Sequence, residues 1–407
     1  MPYCYEATGV VANARLGPLL PPDWVDLTKG KEKKAIRRSN AAKGNANKCD
    51  GDEEDDNDDV HMPTNNVPDF LWENAPRQDT KAYRDDVKVY SHLPNGSAIL
   101  DSKWVLGRLL TGRDEQQSNN PLLAVCETHC FIGVDGFQKF AERMGLLQKD
   151  GNGDHVTGDP VEFCDILKRP DDDHTDGGNT SWLKPQQSIP PRPNLWVVKD
   201  AAANGAGGVW GVGQPNVDRF LNSKQTKGPL YKDHKYVAQQ YVWPPITFDG
   251  KKCHVRVYAT VTYDGRAFVH QRAFLHVANE KFSVVSGGSD SASSFDDTVH
   301  ITNCCANSHD DDKFAGEILA DFTTTATTTR DGQPVVPLSD FFPSVQTTVA
   351  ALCNKAFPFT EGGQRNNGFE YCGMDFMLSY NEEGMPLAYL LEINAPPSQD
   401  TATGLPY

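Results

Sequence analysis

The chain has 407 residues, with 39 Lys and Arg against 55 Asp and Glu and a formal net charge of −16. Hydrophobic residues make up 38% and charged residues 23%, which excludes wholesale disorder and predicts two or three structural units. The acidity argues against a protein that coats nucleic acid, and no apolar run approaches the roughly 18 residues of a membrane span, so neither nucleic acid nor membrane is an expected partner.

The opening residues, MPYCYEATGVVANARLGPLL, lack a basic segment followed by a long apolar one, so no secretory leader is expected. Ten cysteines are scattered; the closest sets, Cys126/Cys130 and Cys304/Cys305, form no paired CxxC knuckles. Buried thiols in a reducing compartment are the plain reading, which predicts a cytoplasmic protein. Lys29–Lys48 is basic and Asp50–Asp59 almost wholly acidic; such blocks self-repel, so 28–66 reads as a disordered charged insert. The acidic run lacks the Gly and closing Glu of an EF-hand loop. Ordered sequence resumes near Val67. Ser102–Leu110 and Phe137–Leu147 read as amphipathic helices, and Leu122–Cys126 as a short strand. Asp150–Thr180, rich in Gly, Asp and Asn, reads as a surface loop, and IPPRPN at Ile189–Asn194 as a boundary. The expected division is 1–66, an N-terminal region holding the charged insert; 67–190, a central α/β subdomain; and 191–407, the catalytic region.

From Leu195 onward strands dominate. Leu195–Lys199 is one, and Gly205–Gly208 turns the chain towards an antiparallel return at Val209–Val212. Tyr236–Trp243 follows. His254–Tyr263 and Ala267–Val277 flank Asp264-Gly265, a two-residue hairpin signal. Phe341–Phe357 has helical spacing, and Cys372–Ser379 and Leu387–Asn394 flank NEEG, a second hairpin. This mixture predicts an α+β core with antiparallel sheets.

Three features carry chemistry. Strand alternation puts Glu392 and Asn394 on one face, and folding the last hairpin brings Asp375 opposite residues 390–392. Two carboxylates and an amide oxygen amid apolar neighbours suit Mg²⁺; a wet sheet face has the same alternation. Lys199 precedes DAAANGAGGVWG, whose Gly205, Gly207 and Gly208 allow close backbone approach to phosphate, or simply a turn. Lys252, His254 and Arg256 share one face of a strand, a largely cationic row suited to a triphosphate or to solvent.

Taken together, LWVVK (195–199), VAQQYV (237–242), GKKCHVRVYATV (250–261), HITN (300–303), FEYCGMDFML (369–378) and LLEINAPPS (390–398) resemble the tubulin tyrosine ligase-like family, a branch of the ATP-grasp enzymes. DSKWVLGRLL (101–110) is similar to the lysine-bearing helix early in such proteins. The resemblance implies an ATP-grasp fold with nucleotide held between two α+β subdomains. It also implies a carboxylate–amine ligase that makes an acyl phosphate and releases ADP. ATP and Mg²⁺ would be its cofactors, and a free amino acid and a protein or peptide acceptor, such as an acidic tubulin tail, its partners, with cytoskeletal association. Residue by residue it implies Lys199 on the α/β-phosphates and Gly205, Gly207 and Gly208 over the triphosphate. Gln239, Gln240, Tyr241 and Val242 would line the adenine pocket, the backbone reading the base edge, with Lys252 and His254 near the ribose and phosphates. Thr302 and Asn303 would lie beside the nucleotide. Arg256 would grip the γ-phosphate and acyl phosphate, and Asp375, Glu392 and Asn394 would hold the metal, with Arg256 and Glu392 catalytic.

The chain departs from the family pattern at Gln240 (often Lys), His254 (often Asp), Asp200 (usually Pro) and His276 (an expected Arg, for which Arg272 is the alternative occupant). These departures keep a second function open, that of a catalytically impaired ATP-binding regulatory or scaffold protein of the same fold.

Overall fold

The computed structural model describes residues 4–7, 25–26, 70–72, 89–93, 96–111, 121–149, 155–156, 192–203, 208–214, 217, 221, 230, 233–248, 250–282, 297–302, 317–322, 337–356, 368–395 and 397. The 28–66 segment expected to be disordered lies outside these.

A small parallel sheet comes first, ordered β2-β1-β3-β4 from β1 (Cys4–Ala7), β2 (Val25–Asp26), β3 (Phe70–Trp72) and β4 (Val89–Tyr90). Two helices follow, α1 (Gly96–Leu100) and α2 (Lys103–Thr111). The second is the helix expected at 102–110; Ser102 Oγ accepts the Val105 N–H at 3.3 Å, serving one of the donors that a helix start leaves without an internal partner.

The strand expected at Leu122–Cys126 is not one. That run starts in a turn at Leu122 and continues without a ladder, and β5 begins at Thr128 and ends at Ile132. Its apolar character reflects burial: Ala124 and Cys126 pack with Val242, Met377 and Tyr389. Side chains serve its carbonyls instead, Ser344 Oγ donating to Leu122 O at 2.8 Å and Thr128 Oγ1 to Cys126 O at 2.8 Å. Helix α3 (Gly133–Arg143) covers the second expected helix but stops short of Leu147. Gly145 takes φ +69°, and the Leu146 N–H reaches back to Ala141 O at 2.9 Å. Within the expected 150–180 loop, β7 (His155–Val156) pairs with β6 (Gln148–Lys149).

The second sheet, ordered β5-β10-β8-β9, is antiparallel and comprises β8 (Leu195–Asp200), β9 (Val209–Gly213) and β10 (Lys235–Gln240) with β5. Helix α3 covers its outer face through aromatic contacts, Phe140 edge-on to Trp196 at 5.1 Å and stacked on Phe131 at 5.5 Å. Strand β10 ends at Gln240, before the expected Trp243, where its partner runs out: Gln240 pairs with Trp196 and the Tyr241 N–H donates to Leu195 O, the first residue of β8.

The third sheet is the largest. It takes β11 (Thr247–Phe248), β12 (Lys251–Thr262), β13 (Ala267–Lys281), β14 (Glu317–Asp321), β15 (Phe369–Tyr380) and β16 (Pro386–Asn394). Its order is β14-β13-β12-β15-β16, with β11 beside β12, and every pairing is antiparallel. Both expected hairpins form; Gly265 (φ +84°) and Gly384 (φ +78°) hold the left-handed turn positions that L side chains resist. Short α4 (Asp297–His300) lies against β13. Helix α5 (Phe342–Ala356) packs Val345, Val349, Leu352 and Cys353 on the rear of this sheet, against the inward row that includes Val255, Val257, Met374 and Phe376. The opposite face of β12 and β15 is left to the site.

Candidate functional site

A cleft of about 730 Å³, its open mouth included, lies between the second and third sheets. From the second sheet come Val197 and Lys199 on β8, Gln239 and Gln240 on β10, and Tyr241 and Val242 just after it. From the third come Lys252 and His254 on β12, Asp375 and Met377 on β15, and Leu391 and Glu392 on β16; His300, Ile301 and Thr302 close one side. The walls are largely apolar and the polar groups few and convergent, as in small-molecule sites.

Two lysines are buried here. Lys199 crosses the gap, its Nζ donating to Leu391 O of the other sheet at 3.0 Å. Burial lowers its pKa, with the Glu392 charge opposing. Lys252 Nζ donates to His300 O at 2.8 Å and sits 4.2 Å over the Tyr241 ring. Burial and then the Lys199 charge bring it down to about 7. The Tyr241 hydroxyl and His300 Nδ1 are hydrogen-bonded at 3.0 Å beneath it. Among the described residues neither ammonium forms an ion pair, and two such buried donors fit a polyanion.

At the other end, Arg256 grips Asp375 with both prongs, Nε to Oδ1 at 2.7 Å and Nη2 to Oδ2 at 2.8 Å. Burial works to raise the Asp375 carboxyl, but the Arg256 charge and hydrogen bonds outweigh it and hold it below the usual carboxylate range. Glu392 stands directly opposite Asp375 in the β15–β16 register, and Asn394 opposite Gly373. Burial raises the Glu392 pKa, Lys199 opposes, and the Asp375 charge adds to the rise. Two facing carboxylates are sustained by three nearby cations, Arg256, Lys199 and Lys103.

Between Lys252 and Arg256 on β12, His254 faces His276 of β13 in register, the rings stacked at 4.6 Å and 11°. His254 Nδ1 is bonded to Thr302 Oγ1 at 2.6 Å, and its Nε2 lies 3.8 Å from Asp375 Oδ2. Burial, then the neighbouring His276, Arg256 and Lys252, hold His254 neutral, well below the usual histidine range. Burial likewise takes His276 down to about 4. Arg272 is exposed opposite Asp321, so His276, not Arg272, meets the cationic row. Among the described residues, the buried side-chain atoms without a hydrogen-bond partner include Gln239 Oε1, His254 Nε2 and Asn394 Nδ2. The first two belong to residues that line the cleft, the signature of a polar ligand's place.

Of the sequence-predicted residues, Lys199, Gln239, Gln240, Tyr241, Val242, Lys252, His254, Thr302, Asp375 and Glu392 meet at this cleft. Arg256 stands behind Asp375, and Asn394 lies one pair beyond. Gly208 is buried against Ala203 and Asp200, where a Cβ would collide. Gly205, Gly207 and Asn303 lie outside the described residues. The Gln240 and Tyr241 N–H groups already serve Glu127 O and Leu195 O, so they cannot read a base edge as expected. Sequence reasoning reached Lys103, whose Nζ donates to Ala203 O at 2.8 Å, only as the lysine of the 101–110 helix and gave it no role, and it did not single out Arg192, which donates to Gln240 Oε1 at 2.9 Å. The helix start at Ser102 was the available signal for the first.

The Tubulin-tyrosine ligase family matches over residues 179–405, more than half of the chain. Among curated relatives, human Protein monoglycylase TTLL8 is 24% identical over 230 residues, covering 54% of this chain and 25% of that protein. Its mouse counterpart is 23% identical over 232 residues, covering 55% and 26%. The chain thus spans about a quarter of the length of the curated relatives it matches. With its antiparallel sheets around a lysine- and carboxylate-lined cleft in the ATP-grasp manner, this chain belongs to the tubulin-tyrosine ligase family.

Proposed function

We propose that this chain is an ATP-dependent ligase that joins an amino acid to a protein or peptide carboxylate through an acyl phosphate. The observation that carries this is the pair of buried lysines facing paired carboxylates across one cleft. Lys199 and Lys252 bind the phosphates; Tyr241, Val242, Met377 and Leu391 enclose the base, with Gln239 Oε1 an acceptor for an exocyclic amino group. Thr302 and His254 lie alongside. Asp375, Glu392 and Asn394 would hold Mg²⁺, which when bound neutralises phosphate charge; their all-oxygen donor set fits such a hard cation. Glu392 leads, since Arg256 already engages both oxygens of Asp375.

In the reaction the acceptor carboxylate attacks the γ-phosphorus and ADP leaves. The amine then attacks the acyl carbon, forming the amide as phosphate departs with the P–O–C oxygen and the amine loses a proton. Arg256 neutralises the acyl phosphate, and the protein otherwise positions and balances charge. The catalytic region is taken as 191–407, with β5 and the helices of 67–190 completing it. The relatives are named monoglycylases, so glycine is the amino acid to try first, and a tubulin tail the acceptor.

A neutral His254–His276 stack and a closed Arg256–Asp375 fork favour one other reading, an ATP-binding scaffold without turnover. One experiment separates the two. The protein is incubated with ATP, Mg²⁺, glycine or pooled amino acids, and tail peptides; ADP release and peptide mass are followed. Acceptor-dependent ADP with a mass gain, abolished by Glu392→Gln, is the expected result. ATP binding without turnover across the panel would replace the ligase by the scaffold.

A further inference from the structure

Glu370 lies on β15 on the sheet face away from the cleft, fully buried, in a position the reaction does not use. Its carboxylate has two partners, both from the chain entering α1. His92 Nδ1 is bonded to Oε1 at 3.1 Å, and the Leu93 N–H donates to Oε2 at 3.1 Å. Gly96, the first residue of α1, abuts the same carboxylate so closely that a Cβ there would overlap it. A buried carboxylate is costly unless its oxygens are held, so this contact fixes where α1 begins.

The helical unit α1–α2 touches both sheets. Towards the third sheet, Leu100 and Leu106 join the core under β12 and β15, and Asp101 Oδ1 accepts the Ala395 N–H at 3.3 Å, just past Asn394. Towards the second, Gly107 is pressed against Cys130 and Val237, where an added Cβ would come within 2.8 Å of the Cys130 sulfur. Lys103, at the start of α2, reaches Ala203 O in the turn after β8, and its charge is felt by both Lys199 and Glu392. The two helices therefore touch both walls of the cleft, with Glu370 against the start of α1 and a third cation, Lys103, at the junction with α2.

We infer that Glu370 is a positioning residue for the nucleotide site: by docking α1 it places Lys103 beside the cleft. The inference rests on the reading of the cleft as an ATP site. It takes the form of an energetic link between a buried carboxylate on the rear of β15 and a lysine at the cleft.

The test is calorimetric titration of the full chain with Mg²⁺-ATP, alongside melting temperatures. Glu370→Leu removes both acceptors and should weaken ATP binding about tenfold; Lys103→Ala should weaken it by a similar or larger factor. The double variant should bind no more weakly than Lys103→Ala alone, because the two act through one group. Glu370→Gln should restore binding, since its amide still accepts from Leu93 N–H and donates to the other His92 tautomer. A purely structural Glu370 would lower the melting temperature and leave ATP affinity, or its independence of Lys103, intact; that outcome overturns the inference. Should Glu370→Leu not fold, Gly96→Ala, a substitution that favours the helix itself, must still weaken ATP binding, and wild-type affinity there would overturn it. If the wild-type chain fails to bind ATP, the site reading falls and this inference with it. If it binds and the variants match it, the inference alone falls.

Discussion

Lys252 is the residue whose surroundings make the sharpest demand. Held near pKa 7 by burial, with a carbonyl and an aromatic ring as its partners among the described residues, it is about half-charged at neutral pH. Phosphate in the cleft would favour its charged form, so binding takes up a proton wherever the empty protein has lost it. Affinity for ATP should therefore weaken as pH rises from about 7 towards 9, by up to about tenfold per unit. Titrations across that range check this, and Lys252→Met should flatten the slope. The Arg256–Asp375 fork makes a stability prediction. Arg256→Met leaves Asp375 buried without its cation and should cost about 3 kcal/mol in urea denaturation. That fork was not legible in the sequence. Alternation placed both residues on strands but could not pair positions 119 apart, nor foresee the register shifts between Lys251 and Cys253 and between Val257 and Ala259. The shift between Val257 and Ala259 brings His276 opposite His254, where unbroken register from the turn would have put Phe274.

Elements were more legible than their edges. Both hairpins were readable because Asp264-Gly265 and NEEG state their turns in residues that tolerate positive φ. Alternation along β15 and β16 then sufficed to bring Asp375 opposite residues 390–392, and the register shift between Asp375 and Phe376 makes Glu392 its partner. The run 122–126 misled because burial without a ladder looks, in one dimension, like a buried strand. What holds it is Ser344 on α5, which donates to Leu122 O and accepts the Ala388 N–H of β16 at 3.0 Å. Ser344→Ala deprives a helix, a strand and the 122–126 segment of one shared hydroxyl. It should cost about 2 kcal/mol by chemical denaturation, whereas nearby exposed Gln346→Ala should stay within about 0.5 kcal/mol.

At the scale of the molecule, the net charge of −16 bears on the acceptor. An acidic tail approaching an acidic protein is repelled over a Debye length, so added salt should lower the KM for such a peptide. A neutral peptide of equal length should show no such trend, and steady-state assays at about 20 and 200 mM salt compare the two. A KM for the acidic tail that rises with salt would mean that a local basic surface outweighs the overall charge.

The pairing of β12 with β15 has a consequence for the order in which this protein comes into being. Arg256 leaves the ribosome long before Asp375, and the two strands that must meet are separated by α4, β14 and α5. The central strand of the largest sheet therefore waits, half-paired with β13, for a partner still being synthesised. Such distant pairing makes assembly slow and leaves an apolar sheet face uncovered in the interval. Nascent chains stalled before residue 369 should accordingly bind hydrophobic probes and holdase chaperones strongly, and chains extended past Asn394 should release them.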